Sequence, residues 1–320
     1  MKSLKTALAL ALALAGGALA QDYPSREIHS VVPASAGSGG DILTRYYSDK
    51  ISKLAGKPVV VENKGGAQGV VGTEYAAHAK PDGHTVLFTP ASSMLAAQPH
   101  FFKKLPFDPF KDFAPVMAIA WLPFGIAVDV KNPVKNVAEL IAVLRKKPEN
   151  GFYGAGSNSG IATAELLKEM AGLKTVQVPY KGSPQGVLGL SGGQIDFLVW
   201  DATVMAGFAK GGRLRLVAVT SPQRSSTFPE VPTMVESGYP GFNITSWWGV
   251  AVPAGTPRPV IDKLNGWLRE INAMEETRTF LFNVATEVIT TGTPEQMASM
   301  LKEEYERWGK LARLAKIEPQ

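Results

Sequence analysis

The fold of this chain is decided near its beginning by residues 28–54, which read IHSVVPASAGSGGDILTRYYSDKISKL. The β-rich run Ile28–Val32 predicts a strand, and apolar residues at helical spacing over Ile42–Leu54 predict a helix. Between them lies a loop rich in glycine and serine, residues 33–41. A strand that enters a helix in this way, followed by further strand–helix pairs, is typical of α/β proteins with a parallel sheet.

Downstream, short strands and helices continue to alternate. The predicted strands are Val59–Val61, Thr85–Thr89, Ile126–Val130, Gly151–Tyr153, Thr175–Val178, Ile195–Trp200, Leu214–Thr220 and Trp247–Val252. The predicted helices are Val70–Ala79, Asn136–Lys147, Ile161–Ala171 and Gln185–Ser191, with two more beginning at Thr256-Pro257 and Thr293-Pro294. Residues 221–239 are rich in Ser, Pro and Thr and predict a long connection. Since the elements form two series, we expect two α/β lobes with a ligand cleft between them.

Composition narrows the classes of function. Of the 320 residues, 45% are hydrophobic and 19% are charged, which is typical of a globular protein with a real core. The net charge of +5 comes without a basic cluster interleaved with aromatics, so no nucleic-acid partner is indicated. The chain has no cysteine, which excludes disulfides, Cys-ligated zinc and thiol nucleophiles. Its four histidines lack metal-ligand spacing, and we expect no metal and no cofactor.

Residues 1–20 have the order of a secretory signal peptide. Lys2 and Lys5 precede the apolar run Thr6–Ala15, and Ala18-Leu19-Ala20 is a small-residue cleavage site. The run is too short for a permanent membrane span. We therefore expect a mature chain that starts near Gln21 and is released into the periplasm. No cysteine follows the cleavage site, so no lipid anchor is expected.

Three glycine-rich loops follow predicted strands and precede predicted helices: residues 33–41, 62–69 and 154–160. Glycines allow backbone N–H groups to turn toward a ligand, and a helix N-terminus adds a positive dipole end. Each loop alone also fits an ordinary strand-to-helix turn. Because the loops occupy matching positions in both lobes, together they predict an anionic ligand held between the lobes.

Catalytic alternatives have less support in the sequence. The first loop is neither a Walker A loop nor a complete G-x-G-x-x-G, since Ile42 stands at the third glycine position. The third loop has Asn158 where a G-x-S-x-G nucleophile would stand. Asp41, Asp196 and Asp201 leave open a secreted enzyme that acts on a carboxylate. A ligand sensor for a membrane kinase would use the same site.

In their order along the chain, several segments resemble one family, the extracytoplasmic receptors of the tripartite tricarboxylate transporters, also called Bug-type receptors. The segments are Val31-Val32-Pro33 with Gly39 and Asp41, Glu62-Asn63-Lys64-Gly65-Gly66-Ala67, Pro81-Asp82-Gly83, Pro179-Tyr180-Lys181-Gly182-Ser183, Gly192-Gly193-Gln194-Ile195-Asp196, Trp247-Trp248-Gly249 and Pro253-Ala254-Gly255-Thr256-Pro257. The resemblance covers nearly the whole mature chain. It implies a type II periplasmic binding protein with residues 21–122 and 246–320 in one lobe and 123–245 in the other.

The resemblance also implies a function and a set of partners. The receptor would bind a small carboxylate and deliver it to a large and a small transmembrane subunit, as a monomer and without catalysis. In relatives, backbone groups and waters hold the carboxylate at positions that correspond to residues 34–39 and 156–159 here.

Departures from the family pattern point to the size of the ligand. Ala34 stands where relatives often have an aromatic residue, and Ile161 stands where they often have histidine. The pair Trp200-Asp201 occupies a position where relatives often have Asp with a small or amide residue. We therefore expect an aromatic or longer carboxylate. The candidate ligand-binding residues are Ala34, Ser35, Ala36, Gly37, Ser38, Gly39, Asp41, Gly66, Ala67, Gln68, Ser92, Gly156, Ser157, Asn158, Ser159, Lys181, Trp200 and Asp201.

Overall fold

Strands and helices alternate along the computed structural model, which describes residues 23–147, 151–180, 182–290, 292–315 and 317–319. The strands are β1 (Ile28–Val32), β2 (Val59–Asn63), β3 (Thr85–Pro90), β4 (Phe113–Asp129), β5 (Phe152–Ala155), β6 (Val176–Pro179), β7 (Phe197–Asp201), β8 (Leu214–Val219), β9 (Thr245–Pro253) and β10 (Glu287–Val288). The α-helices are α1 (Gly39–Ala55), α2 (Val70–Ala77), α3 (Gln98–Phe101), α4 (Val137–Leu144), α5 (Asn158–Ala171), α6 (Ser183–Ser191), α7 (Ala202–Lys210), α8 (Arg258–Ala273), α9 (Glu275–Asn283) and α10 (Pro294–Leu314). A 3₁₀ turn (Ala67–Gly69) precedes α2, and a π-helical segment (Ser92–Ala97) precedes α3. The predicted leader, residues 1–20, lies outside the described residues.

The strands form two sheets that share β4. In the first sheet the order is β2-β1-β3-β9-β4-β10, with β1, β2 and β3 parallel and the remaining pairs antiparallel. In the second sheet, β5, β6 and β7 are parallel, and β4 pairs antiparallel with both β7 and β8. Each sheet carries helices, so the predicted architecture of two α/β lobes is confirmed.

The strand β4 corrects one expectation. Ile126–Val130 was predicted as a separate strand, but it is the end of a single strand of 17 residues. This strand pairs with β9 as far as Pro123 opposite Thr245, and from Phe124 it pairs with β7. Every residue from Val116 to Val128 is buried except Trp121, so the strand lacks the alternating pattern that marks strand limits in a sequence. Pro123 suggests a break, but it lies where the strand passes from one sheet to the other.

Helices cover both faces of the first sheet. On one face, α1 and α8 bury Leu43, Tyr47, Leu264 and Leu268 against the strands. On the other face, the hydrophobic cluster that includes Trp308 of α10 continues into the core of the second lobe. The C-terminal helix α10 therefore packs against a hydrophobic cluster that draws residues from both sheets.

A network of polar side chains fixes α10 beside the start of β9. The Trp308 indole donates a hydrogen bond to Ser92 Oγ at 3.0 Å, and Ser92 donates to Glu304. Arg307 donates to the carbonyl oxygens of Asn243 at 3.3 Å and Thr245 at 2.8 Å, where the chain enters β9. The predicted capping box at the start of α10 is present.

Candidate ligand-binding site

A cavity of about 1020 Å³ lies between the two lobes. We call it the interlobe cavity. All three glycine-rich loops of the sequence contribute to its wall, together with residues at the ends of β6 and β7 and the aromatic Trp248 of β9. The loops follow the carboxyl ends of β1, β2 and β5, which is where open α/β sheets bind ligands.

The first loop is held in shape by its own side chains. Ser38 caps α1 by accepting the Asp41 N–H at 3.3 Å, and Asp41 accepts the Gly37 N–H at 2.9 Å. Arg45 pairs with the other Asp41 oxygen at 2.9 Å. Burial opposes ionisation of Asp41, but the bonds from Arg45 and Gly37 outweigh it and hold its pKa below the usual value. Asp41 therefore stays charged and organises the loop without lining the cavity.

The second loop has a backbone conformation that residues other than glycine rarely adopt. Ala67 has φ 44° and Gln68 has φ 53°, between Gly66 and Gly69, whose φ values are also positive. A non-glycine residue in this region carries strain of roughly 1–3 kcal/mol. Both strained residues line the interlobe cavity. Part of their support comes from Gln98, whose side-chain amide donates to the Gln68 carbonyl at 3.1 Å.

The third loop brings the N-terminus of α5 to the cavity from the second lobe. Ser157 caps the helix by accepting the Gly160 N–H at 3.2 Å, and it also lines the cavity with Gly156. Asn158 and Ser159 are fully buried behind the wall. The amide atoms of Asn158 and the hydroxyl of Ser159 have no hydrogen-bond partner within the described protein atoms.

Two tryptophans form apolar walls because glycines leave room for them. The ring of Trp200 lies against Gly186, where a Cβ atom would meet it at 3.3 Å, and against Gly156. Trp248 lies against Gly40, where a Cβ atom would meet its ring at 2.8 Å. Both side chains are more than nine-tenths buried. Phe124, Met94, Leu122 and Ile161 complete the apolar lining.

The cavity is nearly free of charge. Among the described residues that line it, none is Arg, Lys or His, and Asp201 is the one carboxylic acid. Asp201 caps α7 by accepting the Val204 N–H at 3.2 Å. Burial raises the pKa of Asp201 to about 6, against the hydrogen bonds from Val204 and Thr203 that favour its ionised form.

The candidate acid Asp196 lies apart from Asp201. Asp196 precedes β7, whereas Asp201 ends it, so about 16 Å of extended strand separates them. Asp196 pairs with Lys147 and accepts the Phe152 N–H at 2.8 Å. The structure therefore does not bring Asp196 and Asp201 together as a catalytic pair. In the described ranges, no group of three or more His, Asp or Glu side chains could hold a metal ion.

We expect a pH-dependent contribution of Asp201 to stability. Its folded-state pKa of about 6 lies above the unfolded value near 4, so folding favours the neutral acid. The stabilisation is present below pH ~4 and is lost as the pH rises through ~6. Relative to Asp201→Asn, the free energy of unfolding of the wild type should fall by roughly 2 kcal/mol between pH 4 and pH 8. Urea titrations of both proteins measure this, and parallel pH profiles would contradict it.

The structure gathers most of the predicted site residues in one place. Those that line the cavity are Ala34, Ser35, Ala36, Ser38, Gly39, Gly66, Ala67, Gln68, Gly156, Ser157, Trp200 and Asp201. Those in the described chain that do not line it are Gly37, Asp41, Ser92, Asn158 and Ser159. Lys181 lies outside the described residues.

Other lining residues were absent from the prediction, among them Ser93, Met94, Tyr180, Ser183, Gln185 and Trp248. The aromatic pair Trp247-Trp248 was the available signal, but such a pair more often reflects core or lobe-interface packing, and Trp247 does pack in the core.

Known proteins resemble this chain in sequence and in fold. The sequence model of the tripartite tricarboxylate transporter family receptor matches residues 43–316. A UPF0065 protein of Bordetella bronchiseptica is 36% identical over 305 residues, which is 94% of this chain and 89% of that protein. The solved structure of the periplasmic binding protein BugD is 31% identical, with a TM-score of 0.87 over 93% of this chain and 100% of that one. R. palustris Rpa4515 with adipate is 30% identical, with a TM-score of 0.88 and the same coverages.

Within the described part of the chain, no helix has the length and apolar character needed to cross a membrane.

Proposed function

Because this chain belongs to the tripartite tricarboxylate transporter receptor family, we propose that it is a periplasmic receptor that binds a small carboxylate in the interlobe cavity. It delivers this ligand to the large and small membrane subunits of a tripartite tricarboxylate-type transporter. One observation carries the proposal: glycine-rich loops that follow strands in both sheets line a single cavity. It acts as a monomer, with residues 21–122 and 246–320 in one lobe and 123–245 in the other.

A carboxylate suits this cavity for an electrostatic reason. The cavity wall includes the first residue of α1 and the capping residue of α5, and helix N-termini with free N–H groups favour anions. With no basic side chain among the described lining residues, the donors are backbone N–H groups and neutral side chains such as those of Ser and Gln. The related R. palustris protein was solved with adipate, a dicarboxylate.

The body of the ligand is aromatic or a longer aliphatic chain. Trp200 and Trp248 offer large apolar surfaces on which an aromatic ring or an extended chain can pack. The volume of about 1020 Å³ is at the upper end of ordinary ligand sites, which span roughly 300–1,000 Å³.

Binding works by closure of the lobes. The lobes already approach each other at two points, where Ser35 faces Gly182 and where Gly39 faces Asp201. A ligand that contacts loops of both lobes stabilises the closed form relative to the open one. The closed form then presents its surface to the membrane subunits.

The identity of the ligand can be tested directly. Mass spectrometry of small molecules released from the purified protein should find a carboxylic acid. Adding that acid to ligand-free protein should raise the melting temperature, and the acid should be recovered intact. Recovery of a chemically altered acid would favour the secreted enzyme over the receptor.

We expect Ser157→Ala to weaken ligand binding by about tenfold, because Ser157 both lines the cavity and caps α5. Loss of the cap should also cost about 1 kcal/mol of stability. Isothermal titration calorimetry and thermal unfolding measure the two effects. Asn136→Ala is the matched control, because Asn136 caps α4 outside the cavity lining. That control should lose stability but keep its affinity, and an unchanged affinity in Ser157→Ala would remove this side chain from the site.

A further inference from the structure

The carboxyl group of Asp201 lies where two helices begin, α7 of the second lobe and α1 of the first. Asp201 Oδ1 accepts the Val204 N–H at 3.2 Å, in the first turn of α7. The same oxygen abuts Gly39, the first residue of α1, where a Cβ atom would lie 2.5 Å from it. The side chain of Asp201 thus reaches from the second lobe to the first, at the wall of the interlobe cavity.

Asp201 is an acid at a proposed carboxylate-binding site, and no cationic side chain accompanies it among the described lining residues. In the described part of the chain, no ion pair includes Asp201, and no Arg, Lys or His lines the cavity. The residue is partly accessible from the cavity. A carboxyl group that faces a bound carboxylate without a cation between them disfavours binding when it is ionised. The arrangement is favourable if the ligand itself supplies a hydrogen-bond donor, because bonds to an ionised acceptor are the stronger ones.

We propose that Asp201 selects, among the carboxylates that fit the cavity, those that also carry a hydroxyl or ammonium donor. Asp201 accepts a hydrogen bond from that donor while the backbone loops hold the carboxylate. This inference rests on the proposed receptor function. It makes Asp201 a specificity-determining residue, in addition to its role as the cap of α7.

The substitution Asp201→Asn isolates this role. The asparagine oxygen can still accept the Val204 N–H, and Asn caps a helix about as well as Asp does. What changes is the second oxygen, which becomes an NH₂ donor, and the negative charge, which is removed. Asp201→Ser is a second variant that also keeps a capping oxygen. The matched control is Asp196→Asn, an acid-to-amide change at the residue just before the same strand and outside the cavity lining.

The experiment compares matched probes by calorimetry at pH 8. One set is benzoate with its 2-, 3- and 4-hydroxy derivatives, and the other is hexanoate with 6-hydroxyhexanoate and 6-aminohexanoate. For the wild type and Asp196→Asn, we expect at least one donor-bearing probe to bind about tenfold more tightly than its parent. In both Asp201 variants this advantage should fall below about twofold, and the parent acids should bind more tightly than they do to the wild type. Comparison of the hydroxy acids with 6-aminohexanoate shows which donor Asp201 prefers.

The outcomes separate the inference from the function on which it rests. If parent and donor-bearing acids bind the wild type equally, or if the advantage persists in the Asp201 variants, the inference is wrong while the receptor function stands. If no carboxylate of either set binds the wild type, the carboxylate receptor function itself is contradicted and the inference falls with it.

Discussion

Gly39→Ala should weaken ligand binding by about ten- to a hundredfold while both lobes stay folded. A Cβ atom at this position would lie 2.5 Å from Asp201 Oδ1 and 3.1 Å from the Cβ of Thr203. Neither neighbour can move freely, because Asp201 caps α7 and Thr203 bonds to Thr286 at 3.0 Å. Relief therefore requires the lobes to separate at this point. Overpacking of this kind costs about 1–3 kcal/mol, and here the cost applies to the closed form alone.

Calorimetry of Gly39→Ala with the co-purified acid measures this loss. Gly266→Ala is the control, since Gly266 lies within α8 with no atom near its Cβ position. That control should keep its affinity and should gain up to about 1 kcal/mol of stability from the better helix propensity of alanine. If Gly39→Ala binds as tightly as the wild type, closure does not bring α1 against Asp201 in solution.

Trp308→Ala should lower the free energy of unfolding by about 3–5 kcal/mol. Trp308 is fully buried, lies 6.1 Å from the ring of Phe101, and belongs to the cluster that joins both sheets. Its removal leaves a large cavity at the point where α10 packs against the rest of the molecule. The lost indole also leaves Ser92 without one of its hydrogen-bond partners.

Two variants calibrate the Trp308→Ala result in urea titrations. Trp308→Phe keeps an aromatic ring, and it should cost less than the alanine change because most of the buried area remains. Trp121→Ala removes the side chain of a tryptophan that is 42% exposed, and it should change stability by much less than Trp308→Ala. A loss below about 1 kcal/mol in Trp308→Ala would show that the neighbouring side chains refill the space.

The strand-to-helix loops could be predicted from the sequence because their signals are local. A strand, a glycine-rich turn and a helix start follow one another directly at residues 28–54, and the structure has this order. The length of β4 could not be predicted in the same way. A strand buried on both faces gives no alternation, and only the partner strands reveal that it serves two sheets.

The prediction of individual site residues depended on contacts that are remote in sequence. Ser92 follows β3 and was expected to face the ligand, but its hydroxyl bonds to Glu304 while Ser93 lines the cavity. The π-helical segment sets which side chain points inward, because neighbouring residues of a helix point in different directions and a π-helix does not follow the α-helical spacing. Trp248 shows the same limit, since aromatic residues of a buried strand give no sign of whether they face a core or a cavity.

The bonds from Arg307 to the carbonyls of Asn243 and Thr245 have a consequence for the escape of a bound molecule. These carbonyls lie where the chain passes from the second lobe into β9, and Thr245 stands opposite Pro123, which offers no N–H to the ladder. We expect a twist of the chain at this point to stretch the bonds to Arg307. We therefore expect a substitution of Arg307 to alter the residence time of a bound ligand, although no residue of α10 lines the interlobe cavity.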